Sequence, residues 1–448
     1  MSSLQMMTKT YKQRTYLDPI HGPIQLDLND PAENLLAQII DTRELQRLRR
    51  IKQMGLGSFT FHGAEHTRFG HSLGTLYIAR KMISHLAKSS PEIKNYKTEI
   101  LACALLHDVG HGPLSHTSEK FTNYTHEEQT KNIILGNSEI NTLLKAHDRN
   151  LPEEITKIFD YKSSSLYMSQ IISSYVDCDR LDYLLRDSYY VGVPYGLTGF
   201  DRIIASLEID EYRGEVTSPL LVINETIGLD ATIHYLHARY SMYQQVYQHK
   251  KNLASDFLLE KIIERARETK LQDTSLILIE WLMQSNTQNK KIDIDLFLQV
   301  DDALLISSIE NWAYNSSGDK ILKDLSKRFI SRKIFKSVEF RQEVSEDKIQ
   351  EIGDKIKSIA KNKDLEPKYY TGTERSASKP YEPYQASKNK TPKAIYIKQH
   401  NGLIKELSQI SGLVKALSQE NITKTCLIYA PELEDDINNM KDFKELFK

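Results

Sequence analysis

The sequence ALLHDVGHGPLSH (104–116) decides the fold of this chain. The apolar residues that lead into it, from about residue 98, predict a buried helix that ends at the adjacent pair His107 and Asp108. Gly110 and Gly112 allow the backbone to turn sharply after the pair. A histidine nitrogen and a carboxylate oxygen at one helix end can reach the same ion, so this stretch predicts a metal site on a helical scaffold.

Histidines are concentrated around this stretch. The chain has 14 histidines, and eight of them lie between residues 62 and 126. HTRFGHSLG (66–74) and VDCDRLDYLLRDS (176–188) flank it and add further candidate ligands. A mixed set of imidazole and carboxylate donors suits Mn, Fe, Co, Ni or Zn better than Ca or an all-oxygen Mg site. Because a bound divalent ion can polarise a phosphoryl oxygen, we predict a metal-dependent phosphohydrolase whose ligands are His71, His107, Asp108 and Asp179.

A second His-Asp pair provides an internal comparison. His147 and Asp148, in LLKAHDRN, have no histidines around them. We interpret this pair as a solvated helix end without a metal. The dipeptide alone therefore does not identify the site, and the surrounding residues do.

Composition restricts the class of protein. The 448 residues carry a net charge of −1 and are 40% hydrophobic, so we predict neither nucleic-acid binding nor attraction to an anionic membrane. The three cysteines form no CxxC pair, which indicates a reducing compartment. No apolar run approaches the length of a membrane span. We expect a cytoplasmic protein.

Hydrophobic periodicity predicts a mainly α fold: a helical core around the His-Asp pair with helical extensions, over residues 1–360. Within it, residues 165–189 and 228–268 each predict one long helix. Residues 361–392 are rich in Pro, Ser, Lys and Tyr and predict a linker or surface arm. Residues 393–448 predict a small α/β module, with strands at 394–398 and 425–430.

Several stretches in this order resemble a known family, the HD-domain deoxynucleoside triphosphate (dNTP) triphosphohydrolases. The resemblance covers roughly residues 14–340. This part of the chain is similar to the catalytic core of the SAM-and-HD-domain enzymes, without a SAM domain. The family cleaves dNTPs to a deoxynucleoside and inorganic triphosphate. The matching stretches are DPIHGPI (18–24), IIDTRELQRLRRIKQMG (39–55), HTRFGHSLG, LLHDVGHGPLSH, THEE (125–128), VDCDRLDYLLRDS and YQHK (247–250).

The resemblance implies roles for individual residues around the metal. His111, His116 and His126 would surround the α-phosphate. His116 would protonate the departing 5′ oxygen or position the attacking water. Glu119 would orient His126, where the family often has Asp. Mg²⁺ would accompany the substrate phosphates.

It also implies the residues that bind the substrate. Arginines and a lysine would hold the phosphates, tyrosines would pack on the sugar and disfavour a 2′ hydroxyl, and others would meet the 3′ hydroxyl and the base. The residues for the phosphates are Arg68, Arg180, Arg239 and Lys250, and those that pack on the sugar are Tyr183 and Tyr247. Gln53 and Asp187 would meet the 3′ hydroxyl, and Met54 would lie near the base.

Regulation is implied as well. Some family members are homo-oligomers activated by a nucleotide bound between subunits, so we expect a dimer or tetramer. Leu17 stands where the animal members commonly have Asn, and the acidic Glu208 and Glu225 lie near positions that are basic there. These departures predict an activator site that is altered or lost. Its matching positions are Arg14, Asp41, Gln46, Arg49, Arg332 and Lys336.

Two other functions remain open from the sequence. One keeps the metal chemistry and changes the substrate to another nucleotide, as in an HD phosphodiesterase or nucleotidase. The other is a non-catalytic nucleotide-binding regulator. The three candidate phosphate-binding arginines argue against the first, and the complete set of metal ligands argues against the second.

Overall fold

The computed structural model of the chain describes residues 12–211, 218–269, 275–287, 291–315, 318–383, 393–440 and 446–447. Within these ranges the fold is mainly α-helical, as expected, and the strands form three small sheets. No helix in the described ranges combines the length and apolar character needed to cross a bilayer.

The first half of the chain builds the helical core. Within it, α3 packs against both α4 and α10. α4 is apolar on all sides and fully buried from Ile100 to Leu106, as expected for a helix at the centre of a core. The elements are β1 (Gln13–Asp18), β2 (Gly22–Asp27), α1 (Pro31–Asp41), α2 (Arg43–Arg47), α3 (Arg68–Leu86), α4 (Lys97–Leu106), α5 (His116–Glu119), α6 (His126–Leu135), α7 (Glu139–His147), α8 (Leu151–Phe159), α9 (Leu166–Ile172) and α10 (Cys178–Val191).

The second half adds helices and most of the strands. The elements are α11 (Phe200–Ala205), β3 (Leu207–Asp210), β4 (Leu220–Asn224), α12 (Glu225–Met242), α13 (Lys250–Glu268), α14 (Leu276–Gln284), α15 (Ile294–Gln299), α16 (Asp302–Tyr314), α17 (Lys320–Ile330), β5 (Lys336–Glu339), α18 (Glu346–Asn362), α19 (Pro367–Tyr370), β6 (Thr371–Ser378), β7 (Tyr396–Lys398), β8 (Ile404–Glu406), α20 (Gly412–Gln419), β9 (Ile422–Tyr429) and α21 (Glu434–Asn438).

Two helices that the sequence predicted as continuous are each interrupted. α9 ends at Ile172, and the buried carboxylate of Asp177 then accepts from the backbone N–H of Ser174 (2.6 Å) and of Arg180 (2.7 Å). Such a side chain competes with helical backbone bonds and starts a new helix instead. Residues 228–268 are interrupted by a π-helical turn at Tyr243–Tyr247 and by the extended residue His249.

The stretch expected to be a linker or surface arm is ordered over its described part. α18 continues to Asn362, and β6 pairs along its full length with β9. Tyr381 is fully buried, and its hydroxyl donates to Glu406. The tail of the stretch, residues 384–392, lies outside the described ranges.

The C-terminal strands do not form a module of their own. β7 pairs in parallel with β4 and antiparallel with β8, in a sheet ordered β3-β4-β7-β8. β9 is the central strand of a second sheet, between β5 and β6. Residues 393–440 therefore contribute strands to two sheets. The other strands of these sheets, β3, β4, β5 and β6, lie between residues 207 and 378.

Candidate active site

The four predicted metal ligands converge on one point between α3, α4 and α10. His71 lies on α3, His107 and Asp108 follow α4, and Asp179 lies in the first turn of α10. Nε2 of His71 lies 3.2 Å from Nε2 of His107 and 3.0 Å from Oδ1 of Asp179. Nε2 of His107 lies 3.3 Å from Oδ1 of Asp108. The interrupted helix matters here, because it places Asp179 at a helix start that faces the end of α4.

The chemistry of these four groups fits a divalent cation. Nδ1 of His107 lies 2.8 Å from the carbonyl oxygen of Ala104, which can only accept, so Nδ1 carries the proton. Nδ1 of His71 likewise donates to Asp182, at 2.7 Å. With both imidazoles neutral, as metal binding requires, the lone pairs of the two Nε2 atoms would face each other beside two carboxylates. A metal ion relieves this repulsion, and the hydrogen bonds on Nδ1 are the usual outer-shell support of a metal-binding histidine.

The charges around His71 stabilise a positive charge at the same point. Burial alone would lower its pKa, but the hydrogen bonds with Asp179 and Asp182 outweigh it and raise that pKa to about 9. Asp182 is itself held by Arg186 (Nε to Oδ2, 2.8 Å) and by His21 (Nε2 to Oδ1, 2.6 Å). All of these side chains are almost fully buried. No role was predicted for Asp182, His21 or Arg186, although DPIHGPI and VDCDRLDYLLRDS contain them.

A cluster of three imidazoles adjoins the metal ligands. His111 stacks on His126 with ring centroids 3.9 Å apart, and His116 meets both edge-on. Glu119 accepts from Nδ1 of His126 (2.8 Å) and from Nδ1 of His116 (3.2 Å). Although burial would raise the pKa of Glu119, the two histidines hold that pKa well below its usual range. The longer glutamate side chain thus serves two histidines, where the sequence analysis expected it to orient one.

The glycine-rich turn brings this cluster against the metal ligands. A Cβ on Gly110 would lie 2.3 Å from both the carbonyl oxygen of His126 and the backbone nitrogen of Thr130, so only glycine permits this approach of α6. Leu114 and Ser115 have positive φ angles of 57° and 58° immediately before His116. Backbone strain of this kind is common at functional sites.

The candidate metal ligands other than His71, together with the three clustered histidines, line a cleft of about 650 Å³. Most of the predicted substrate residues contribute to its wall, and Arg239 and Lys250 do not. Lys250 is exposed at the start of α13, so the structure does not place it beside the other phosphate candidates. The predicted residues that line the cleft, metal ligands and histidines included, are Gln53, Met54, Arg68, His107, Asp108, His111, His116, His126, Asp179, Arg180, Tyr183, Asp187 and Tyr247.

The predicted sugar-binding residues form a connected group. The hydroxyl of Tyr247 donates to Oδ2 of Asp187 (2.8 Å), and Nε2 of His66 lies 2.7 Å from Oδ1 of the same carboxylate. The ring of Tyr183 meets Tyr247 edge-on at 6.1 Å. His66 was within the histidine-rich region, but the sequence analysis gave it no role.

The three predicted phosphate-binding arginines are all held by protein groups. Arg68 donates to Asp108 and, over 2.6 Å, to the hydroxyl of Ser115, so it also fixes a predicted metal ligand. Arg180 donates to Asp177 and to the carbonyl oxygen of Ser174. Arg239 donates to the carbonyl oxygen of Pro380 and stacks on two tyrosine rings. Within the described ranges, the buried Nε of Arg180 and that of Arg239 have no hydrogen-bond partner.

The predicted activator residues fall into two places. Arg14 makes two bonds to Asp41 (2.5 and 2.6 Å), and Arg49 donates to Gln46 over 2.8 Å, near α1 and α2. The other two, Arg332 and Lys336, follow much later in the sequence and make separate contacts. Arg332 donates to the carbonyl oxygen of Phe59 (2.8 Å), and Lys336 pairs with Glu434 at 3.0 Å.

The second His-Asp pair is as the sequence predicted. His147 ends α7 and Asp148 caps it, and both are exposed. The carboxylate of Asp148 accepts from the backbone nitrogen of Asn150, at 2.7 Å.

Comparisons with known proteins agree with this geometry. The HD domain family matches residues 68–187, the span that carries all four predicted metal ligands. The chain is 34% identical to the uncharacterized protein YwfO of Bacillus subtilis, over 95% of this chain and 94% of that protein. Its fold is similar to the crystal structure of a phosphohydrolase from Bacteroides thetaiotaomicron, with a TM-score of 0.77 and 30% identity over 93% of this chain and 100% of the other.

A more distant relative has a named activity. The chain is 28% identical to the mouse deoxynucleoside triphosphate triphosphohydrolase SAMHD1, over 55% of this chain and 43% of that protein. The match thus spans less than half of the mouse enzyme.

Proposed function

We propose that this chain, which belongs to the HD-domain phosphohydrolases, hydrolyses dNTPs to a deoxynucleoside and inorganic triphosphate. One observation carries the proposal: a single cleft joins three of the four candidate metal ligands, His107, Asp108 and Asp179, to a glutamate-bound histidine cluster and to the Asp187–Tyr247 pair. The first two parts suit phosphoester hydrolysis, and the third suits a sugar. The likeness to a dNTP triphosphohydrolase supports this choice of substrate.

In the proposed reaction, the metal is held by His71, His107, Asp108 and Asp179. It would supply Lewis acidity toward the phosphoryl oxygens. We assign this role to Mn, Fe, Co, Ni or Zn, with Mg²⁺ on the substrate phosphates.

The chain itself handles the proton. Glu119 receives Nδ1–H of His116, which leaves Nε2 of His116 to face the cleft. This contact orients the ring, so that a doubly protonated His116 would give its Nε2 proton to the departing 5′ oxygen. His111 and His126 complete the cluster beside the α-phosphate.

The sugar and base meet the other part of the cleft. Asp187 would accept the 3′ hydroxyl, with Gln53 beside it, and Met54 would lie near the base. Tyr183 and Tyr247 would pack on the sugar, where their rings leave little room for a 2′ hydroxyl.

A substrate panel tests the proposal. The purified protein, loaded with one divalent metal at a time, is incubated with each dNTP, with and without GTP or a second dNTP. We expect intact triphosphate as the product, and loss of activity in His107→Ala. His147→Ala is the matched control, because it removes a histidine from a His-Asp pair outside the cleft. Release of orthophosphate alone from every dNTP would contradict the proposal.

One observation favours a second substrate class. The donors of Arg180 and Arg239 are partly occupied by protein groups, which leaves fewer of them for a triphosphate. Another nucleotide with a single phosphate group, such as a monophosphate or a cyclic nucleotide, would need fewer donors. Including these nucleotides in the same panel separates the two classes. The absence of turnover with any of them would instead favour a nucleotide-binding regulator.

We further propose that the chain forms a dimer or tetramer and that any activator nucleotide binds near Arg14, Asp41, Gln46 and Arg49. The Arg14–Asp41 ion pair occupies groups that a nucleotide would need, which agrees with an altered or lost site. Measuring the molar mass with and without GTP, alongside activity, tests this directly.

A further inference from the structure

Lys393 brings the C-terminal part of the chain into the catalytic cleft. It precedes β7 and lines the same cleft as Asp179 and Arg180. Its carbonyl oxygen accepts from the backbone nitrogen of Tyr175 at 3.2 Å, and its Nζ lies 3.2 Å from the hydroxyl of Ser173. The ammonium also lies 5.5 Å from the ring centroid of Tyr161. Both its backbone and its side chain are therefore held in place.

This lysine has no carboxylate partner, unlike the other lysines of the cleft. Lys131 pairs with Asp160, and Lys120 pairs with Asp256 at 3.0 Å. In the described part of the chain, no carboxylate lies within 4 Å of Nζ of Lys393. A half-buried ammonium without a counter-ion is unfavourable unless a ligand supplies the negative charge.

The groups around Lys393 make the same part of the cleft electropositive. Arg180 is nearby and already shares Asp177, and Glu127 is the other acid that acts on the lysine. Burial, followed by the charge of Arg180, lowers the pKa of Lys393. The buried Nε of Arg180, which has no hydrogen-bond partner in the described ranges, is a second and independent sign of a missing acceptor in the cleft.

We propose that Lys393 binds the terminal phosphate of the substrate's triphosphate, so that the C-terminal segment contributes to selection of triphosphates. This inference rests on the proposed function. The terminal position is supported by the contacts of Lys393: within the described ranges, its Nζ meets the hydroxyl of Ser173 and the ring of Tyr161, and makes no hydrogen bond or ion pair with a candidate metal ligand or a clustered histidine. An ammonium with three donors is well suited to a phosphate that carries no further substituent.

Binding of inorganic triphosphate, pyrophosphate and orthophosphate provides the test, by calorimetry on the metal-loaded protein. Lys393→Met keeps the alkyl stem over Tyr161 and removes the charge. We expect it to weaken triphosphate binding about tenfold or more and to leave orthophosphate binding within about twofold. Lys393→Arg should restore much of the loss. Lys405→Gln, which removes an exposed lysine from the neighbouring strand β8, is the matched control.

Steady-state kinetics with a dNTP give the second measurement. The KM should rise about tenfold in Lys393→Met, while kcat stays within about threefold, because a remote phosphate contact is present in both ground and transition states. An equal loss of affinity for all three phosphates, or no loss, overturns the inference. If Lys393→Met does not fold, Lys393→Gln carries the same comparison.

The two proposals fail differently. Wild-type protein that releases only orthophosphate from dNTPs removes the proposed function, and the triphosphate-binding difference can still be measured. Wild-type protein that releases triphosphate, with unchanged affinity in Lys393→Met, removes only the role of Lys393.

Discussion

Glu119 is the residue on which two imidazoles of the cleft depend. It accepts a hydrogen bond from both His116 and His126. Glu119→Gln should therefore lower kcat about 10- to 100-fold, because the protonated imidazole loses its counter-ion. The pH profile of kcat/KM should change as well, because the two histidines lose the charge of Glu119, whose pKa they hold low. The pKa of Glu119 is held well below its usual range, so its own titration should not appear near neutral pH.

Glu119→Asp is the informative comparison. The family often has aspartate here, but the shorter side chain cannot keep both contacts with the present backbone. We expect activity between those of wild type and Glu119→Gln. An unchanged pH profile in Glu119→Gln would show that the histidines act without this carboxylate.

Asp182 is a second residue whose substitution should weaken metal binding, although it is not itself a candidate ligand. It holds Nδ1 of His71 and is itself held by His21 and Arg186. Asp182→Asn should weaken metal binding about 10- to 100-fold, measured by competition with a chelator. Asp201→Asn, which breaks an exposed ion pair with Lys81, is the control and should leave the metal affinity unchanged. Equal affinity in both variants would contradict the positioning role.

Some site residues could be predicted from the sequence and others could not. The convergence of His71, His107, Asp108 and Asp179 could be, because they occur in an ordered set of motifs; their role as metal ligands stays a prediction. Their supporting groups could not, because a carboxylate such as Asp182 has the same sequence signal whether it is buried or exposed.

The predicted substrate residues show a second limit of prediction from sequence, because contacts distant in the chain decide where their side chains lie. Arg239 and Lys250 were matched by resemblance, but Lys250 is exposed and the orientation of Arg239 is fixed by a distant part of the chain. The carbonyl oxygen of Pro380 holds the guanidinium of Arg239, and no local pattern predicts that contact. Lys393 carried no signal at all in the sequence.

At the scale of elements, the contact between α3 and α10 sets the relative positions of the candidate metal ligands His71 and Asp179. A Cβ on Gly74 of α3 would lie 1.9 Å from Oδ1 of Asp182 on α10. Gly74→Ala should therefore destabilise the fold by about 1–3 kcal/mol or more and weaken metal binding. Denaturant unfolding and chelator competition measure the two effects.

Gly353→Ala is the matched control within a helix. A Cβ at this position in α18 would meet nothing within 4 Å. The substitution should stabilise the protein by about 0.4–1 kcal/mol, because alanine restricts the unfolded chain. Destabilisation of similar size in both variants would show that the α3–α10 contact is not special.

The helices themselves were predictable to different degrees. α3 and α4 follow from apolar periodicity, and the structure confirms both. The break between α9 and α10 was missed because Ser174 and Asp177 act through their own local hydrogen bonds, which periodicity does not register. That break is functionally important, since it puts Asp179 and Arg180 in the first turn of a helix at the cleft.

At the scale of the whole molecule, the sheets were the least predictable feature. The strands at 396–398 and 422–429 lie close to the positions that the sequence indicated. Their partners do not follow from it, because β4 lies more than a hundred residues before β7, and β5 is likewise separated from β9 by three helices and three strands. Composition suggested a linker before them, yet Thr371–Ser378 is an edge strand with alternating exposed and half-buried residues.

This interleaving predicts the effect of removing residues 393–448. β9 is the central strand of its sheet, and Cys426, Leu427 and Ile428 are essentially fully buried, so the truncation leaves β5 and β6 without a partner. It also removes β7 from the side of β4 and takes Lys393 out of the cleft. We expect the full chain to unfold in a single calorimetric transition, and the truncated chain to lose both that transition and its activity. A separable module would behave otherwise: the full chain would show two transitions, and the fragment 1–392 would keep metal binding and turnover.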